Sequence, residues 1–150
     1  MREIKFRVWC KNNKEWEKHY YEIGKDGALW HRDKNGINII NKETHIIQFY
    51  TGLKDAKNCE IFEGDIVKWY KEWEWIMSGN ENFVEYALFQ VVFENGAFWV
   101  RMIEEDYEDR NCRLVISACE DKFGDAKVPI CEVVGNIYEN PKLLEQEKLL

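Results

Sequence analysis

The run Tyr86-Ala87-Leu88-Phe89-Gln90-Val91-Val92-Phe93-Glu94-Asn95-Gly96-Ala97-Phe98-Trp99-Val100-Arg101-Met102 decides the fold class. Two segments rich in β-branched and aromatic residues, Tyr86–Phe93 and Ala97–Met102, flank Asn95-Gly96. Such residues favour the pleated surface of a sheet. Asn-Gly supplies the two positive φ values of a type I′ turn, whose twist matches that of paired strands. The stretch therefore predicts an antiparallel hairpin.

The flanking sequence predicts more strands of the same kind. Arg2–Trp9 alternates, with Ile4, Phe6 and Val8 on one face and Glu3, Lys5 and Arg7 on the other. Period two over eight residues reads as a half-buried strand. Asn12-Asn13-Lys14 turns the chain, Trp16–Ile23 reads as a second strand, and Gly24–Gly27 turns it again. Ala28–Trp30, the hairpin dipeptide Asn35-Gly36, Ile37–Ile40 and Thr44–Tyr50 follow as strand material. Thr51–Asn58 reads as a loop in which Gly52 and Asp55 shape the turn. Glu60–Tyr70 returns as a strand through Glu63-Gly64-Asp65, where acidic side chains hold a turn by accepting neighbouring backbone N–H bonds. Asn111–Lys122 satisfies both strand and short-helix templates, and Glu132–Tyr138 closes the series as a strand. Asn140-Pro141 offers an N-cap followed by Pro at the first helical position, predicting a C-terminal helix to about Leu150 with Leu143 and Leu144 inward. The expected fold is one mainly β domain over residues 1–150. It is an SH3-like or pseudo-barrel of antiparallel strands with short helices at its ends.

Composition narrows the function classes. Hydrophobic residues make up 45% and charged residues 33% of 150, a soluble globular balance. The net charge of −7 opposes a general polyanion binder. No apolar stretch approaches the roughly 20 residues of a membrane span. The N-terminus mixes charge with apolar residues rather than building a signal peptide, so a cytoplasmic protein is expected. Cys10, Cys59, Cys112, Cys119 and Cys131 are odd in number with no C-x-x-C pair, and read as reduced thiols. The histidines His19, His31 and His45 match no metal-binding spacing, so neither a metal nor another cofactor is expected. Seven Trp, seven Tyr and eight Phe predict an aromatic core.

Three blocks carry a resemblance. They are Arg2–Trp9, then Gln48-Phe49-Tyr50-Thr51-Gly52-Leu53-Lys54-Asp55 with Glu60–Val67, then Glu132-Val133-Val134-Gly135-Asn136-Ile137-Tyr138-Glu139-Asn140-Pro141-Lys142-Leu143-Leu144. In this order and spacing the chain resembles the YopX family of phage and prophage proteins, from Arg2 to Leu144. It departs from the family at Asn58-Cys59, where the family usually has Gly, and by an insert at Lys71–Glu85. The resemblance implies a β-barrel-like body with helices at its ends, a phage or prophage source and self-association. It implies no activity and supplies no catalytic residue.

The candidate sites are few. Glu63 and Asp65 flank Gly64 and form a possible acid–base pair, but no His accompanies them and a turn-stabilising pair is the plainer reading. Lys68, Trp69, Lys71, Trp73 and Trp75 interleave lysines with indoles. This pattern can stack bases of a single strand, hold a small apolar ligand or peptide, or pack an arm on the body or on another subunit. Glu72, Glu74, Glu81 and Glu85 argue for packing. Glu104–Asp109 reads as a solvated acidic loop. No phosphate loop, nucleophile elbow or catalytic Cys–His pair is visible. The expectation is a non-catalytic phage or prophage accessory protein that self-associates and binds a host or phage protein. A nucleic-acid-binding barrel using the Trp/Lys arm is the alternative.

Overall fold

The computed structural model describes residues 4–70, 86–103, 111–113, 120–123, 126–129 and 131–145. The fold is mainly β, and every strand pairing among the described residues is antiparallel. The chain divides into two compact units, Lys5–Phe49 and Tyr50–Leu150 together with residues 1–4.

The first unit carries β1 (Phe6–Cys10), β2 (Glu15–Trp16), β3 (Glu22–Ile23), β4 (Leu29–Asp33), β5 (Gly36–Ile40) and the beginning of β6 (His45–Lys54). β1 lies between β2 and β6, with Trp9 opposite both Trp16 and Ile46, and Cys10 opposite His45. β3, β4 and β5 make a three-stranded sheet in that order. Val8, Tyr21 and Leu29 form the core, with Phe6, Ile23, Ile40 and Ile47 against it.

Both faces of β1 are covered, so Val8, Trp9 and Cys10 are all buried while Ile4 is 83% exposed. The alternation over Arg2–Trp9 thus overstates the contrast between its faces. Trp16 is the cover: its ring meets Trp9 edge-on at 4.9 Å, and the Arg7 guanidinium lies 4.0 Å above it. Trp16–Ile23 is not one strand. It is interrupted between Trp16 and Glu22, where Tyr20 is exposed and Tyr21 buried. The Asn35-Gly36 hairpin forms, but Lys34 and Asn35 are its loop, the Asp33 carboxylate accepts the Asn35 N–H at 2.7 Å, and the positive φ falls on Gly36 (130°).

The second unit takes the end of β6 and adds β7 (Glu60–Phe62), β8 (Asp65–Tyr70), β9 (Tyr86–Glu94), β10 (Ala97–Met102), β11 (Asn111–Arg113), β12 (Glu120–Phe123), β13 (Ala126–Pro129) and β14 (Cys131–Asn136). Five of these form one sheet in the order β11-β10-β9-β8-β14, and β12 pairs with β13. Its core is Ile61, Val67, Val91, Phe98, Val100 and Cys131, with Leu53, Phe89 and Val133 packed on it. The β9–β10 turn has φ of 50° at Asn95 and 75° at Gly96, closing on Glu94 opposite Ala97.

Two expectations change here. Thr51–Lys54 continues β6 instead of opening a loop. Gly52 takes φ of 88° as a register shift passes between Tyr50 and Lys54, and the Thr51 hydroxyl donates to the Ile61 carbonyl at 2.8 Å. The C-terminal helix reduces, among the described residues, to a 3-10 turn at Pro141–Leu144. Asn140 does not cap it, because its Oδ1 accepts the Asn136 N–H at 3.1 Å. Of Asn111–Lys122, the described parts are strand.

Candidate functional site

The turn acids Asp55 and Asp65 are buried, and each joins a turn to β14. Asp55 Oδ1 accepts the N–H groups of Lys57 and Cys59, both at 2.8 Å, and Oδ2 accepts that of Val133 at 2.9 Å. Asn58 closes this turn with φ of 66°, the left-handed geometry for which Asn substitutes for Gly. Asp65 Oδ2 accepts the Phe62 N–H at 2.8 Å, and Oδ1 accepts Asn136 Nδ2 at 3.0 Å. Gly64 sits at φ of 80°, donates to the Val91 carbonyl and accepts from Ile137 N–H. One Asp65 oxygen thus holds the turn and the other holds Asn136 at the end of β14. Glu63 is half-buried; burial, then the nearby Glu63 carboxylate, raises the Tyr138 phenol above its ordinary value.

Of the Trp/Lys arm, Lys68 and Trp69 belong to β8, opposite Leu88 and Ala87 on β9 and opposite Glu132 and Cys131 on β14. Lys71, Trp73 and Trp75 lie outside the described residues, as does the acidic run Glu104–Asp109. Cys10 and Cys131 are buried thiols and Cys59 is exposed.

A third cluster was not visible in the sequence. The register of β1 on β6 sets Cys10 opposite His45, and the backbone bond from Glu17 N–H to the Val8 carbonyl (2.8 Å) brings Glu17 beside them. The Cys10 Sγ, a Glu17 carboxylate oxygen and a His45 ring nitrogen lie within 4.8 Å of one another. His45 Nε2 is 3.3 Å from Glu17 Oε1, and Nδ1 is 2.8 Å from the Thr44 hydroxyl. Tyr21 hydrogen-bonds Glu17, and burial followed by the Glu17 carboxylate pushes its phenol up to about 12. The phenol thus stays protonated and donates to Glu17. Spacing reveals none of this, because the β1–β6 register alone makes Cys10 and His45 neighbours. No described helix is long and apolar enough to cross a membrane.

The comparisons agree with this fold. The crystal structure of protein EF1440 from Enterococcus faecalis is similar over 96% of this chain and 99% of that one, with a TM-score of 0.58 and 22% identity. No curated protein is significantly similar in sequence. The family model described as YopX protein matches residues 5–145. With nearly its whole length matched, the chain belongs to the YopX family.

Proposed function

We propose that this protein is a non-catalytic, self-associating interaction module, a phage or prophage accessory acting in the bacterial cytoplasm on a host or phage protein. The observation that carries the reading is the edge strand β5. It is Gly36-Ile37-Asn38-Ile39-Ile40, and among the described residues no strand pairs with its outer side. Ile37 is 59% exposed and Ile39 77%. Edge strands of monomers are usually blunted by charge, Pro or a bulge. β5 has no charged residue and no Pro, and its register with β4 is unbroken. Its pattern is also symmetric about Asn38. Antiparallel pairing of β5 with its copy, centred there, sets Ile37 of each chain against Ile39 of the other, as an isologous two-fold contact requires. The free thiols of Cys10, Cys59 and Cys131 and the phage association of the family favour the cytoplasmic setting.

Size-exclusion chromatography with light scattering tests the reading. The expected species is a dimer that Ile39→Lys converts to a monomer with an unchanged far-UV circular dichroism spectrum. A strict monomer at high micromolar concentration overturns it.

A further inference from the structure

We propose that Cys10, Glu17 and His45 form a binding site for a zinc-class divalent ion, with the thiolate sulfur, one carboxylate oxygen and the imidazole Nε2 as its protein ligands. Sulfur, nitrogen and oxygen in one small cluster suit a borderline-soft ion that prefers four-coordination. Bonds of about 2.0–2.3 Å in a tetrahedral site place ligands about 3.3–3.6 Å apart. The Nε2 to Oε1 distance of 3.3 Å already has that length. The thiol, within 4.8 Å of both, has about 1.2 Å or less to close. Three protein ligands leave a fourth position for water.

The surroundings have the form that supports a metal-binding imidazole. Such a ring typically donates its other N–H to an oxygen, which fixes the tautomer and the ring plane. The Thr44 hydroxyl donates to the Asn41 carbonyl at 3.1 Å, so its lone pairs are free to accept from His45 Nδ1–H at 2.8 Å. Nε2, the atom left for a metal by that arrangement, stands 3.3 Å from Glu17 Oε1. A divalent ion between these two atoms would bond to both with little movement of either. The Tyr21 hydroxyl also hydrogen-bonds Glu17. The ligands come from β1, the segment after β2, and β6, all inside the Lys5–Phe49 unit, so an ion there would tie its edges together.

The test is a titration of the reduced, metal-free full chain with Co2+, followed by displacement with Zn2+. The expected result is a single equivalent bound per chain, with a thiolate-to-cobalt charge-transfer band and the intense visible bands of four-coordination, both lost on adding Zn2+. The band should persist in Cys59→Ser and vanish in Cys10→Ser. Glu17→Gln and His45→Gln, at partly buried positions, should each weaken binding and shift the visible bands. Thr44→Val, which removes the support of Nδ1, should weaken binding about 10- to 100-fold. Absence of the thiolate band in the unmodified protein overturns the proposal. So does a band unaltered by Glu17→Gln and His45→Gln, or one that survives Cys10→Ser. The Gln variants decide the matter even if Cys10→Ser fails to fold.

Discussion

Asp55 and Val133 are 78 residues apart in sequence, yet the carboxylate of the first accepts the backbone N–H of the second at 2.9 Å. The same side chain accepts Lys57 and Cys59 N–H, so one carboxylate closes a turn and fixes it to β14. Asp55→Ala would leave three backbone donors without this acceptor, and each such loss typically costs about 1–3 kcal/mol. All three bonds are only partly buried, so the lower end applies. Urea unfolding should show a loss of about 3 kcal/mol. Asp55→Asn, which keeps one oxygen, should lose about half as much.

Gly135 and Gly96 should respond differently to alanine. At Gly96 nothing lies within 4 Å of the added carbon, so only the φ of 75° resists it. Gly96→Ala should cost about 1–2 kcal/mol through left-handed strain alone. At Gly135 the added carbon would lie 2.6 Å from Leu143 Cδ1 and 2.8 Å from Asn140 Oδ1. Gly135→Ala should therefore displace the 3-10 turn, and exchange at the amides of Leu143 and Glu145 should accelerate. In Gly96→Ala those amides should stay as protected as in the parent protein.

The contrast between short and long reach separates what the sequence revealed from what it hid. Asn95-Gly96 announced the central hairpin because a type I′ turn needs only its own two residues. Glu63-Gly64-Asp65 was legible as a turn for the same reason: the Phe62 N–H that Asp65 accepts is three residues away. Asn136, the other partner of Asp65, is 71 residues away, and no local rule points to it. The extension of β6 through Thr51–Lys54 depends on pairing with β7, and the break after Trp16 on that ring turning to cover Trp9. Cys10 and His45 became neighbours only through the register of β1 on β6. Absence of a spacing motif was therefore no guide to the cluster they form.

Alkaline pH should weaken the second unit through Tyr138. Burial and, next, the Glu63 carboxylate raise its phenol above 10.0, its ordinary value. The folded chain then holds the proton that the unfolded chain releases first. This contribution is complete below pH 10, and it declines as pH rises from there through the folded-state value. Denaturation midpoints measured upward from pH 9 should fall less steeply in Tyr138→Phe than in the parent protein. Glu63→Gln should reduce the slope by a smaller amount, since burial is the larger cause.

Arg7 combines two roles that lysine cannot fill together. Its Nε and Nη2 both donate to Gln48 Oε1, at 3.1 and 3.0 Å, while its guanidinium plane lies 4.0 Å over the Trp16 ring. Gln48 is buried on β6, so these bonds carry a polar group into the sheet. Trp16 in turn covers Trp9. A planar fork can donate twice and stack at once, whereas an ammonium is a compact point charge. Arg7→Ala removes two donors to a buried oxygen and a cation–π contact, and should cost about 2–3 kcal/mol. Arg7→Lys should recover less than half of that, the residue being the contact with the ring. Trp16→Leu separates the terms: if stacking matters, the Arg7→Ala penalty measured in that background should shrink by about 0.5–1 kcal/mol. An undiminished penalty would place the effect outside the ring contact.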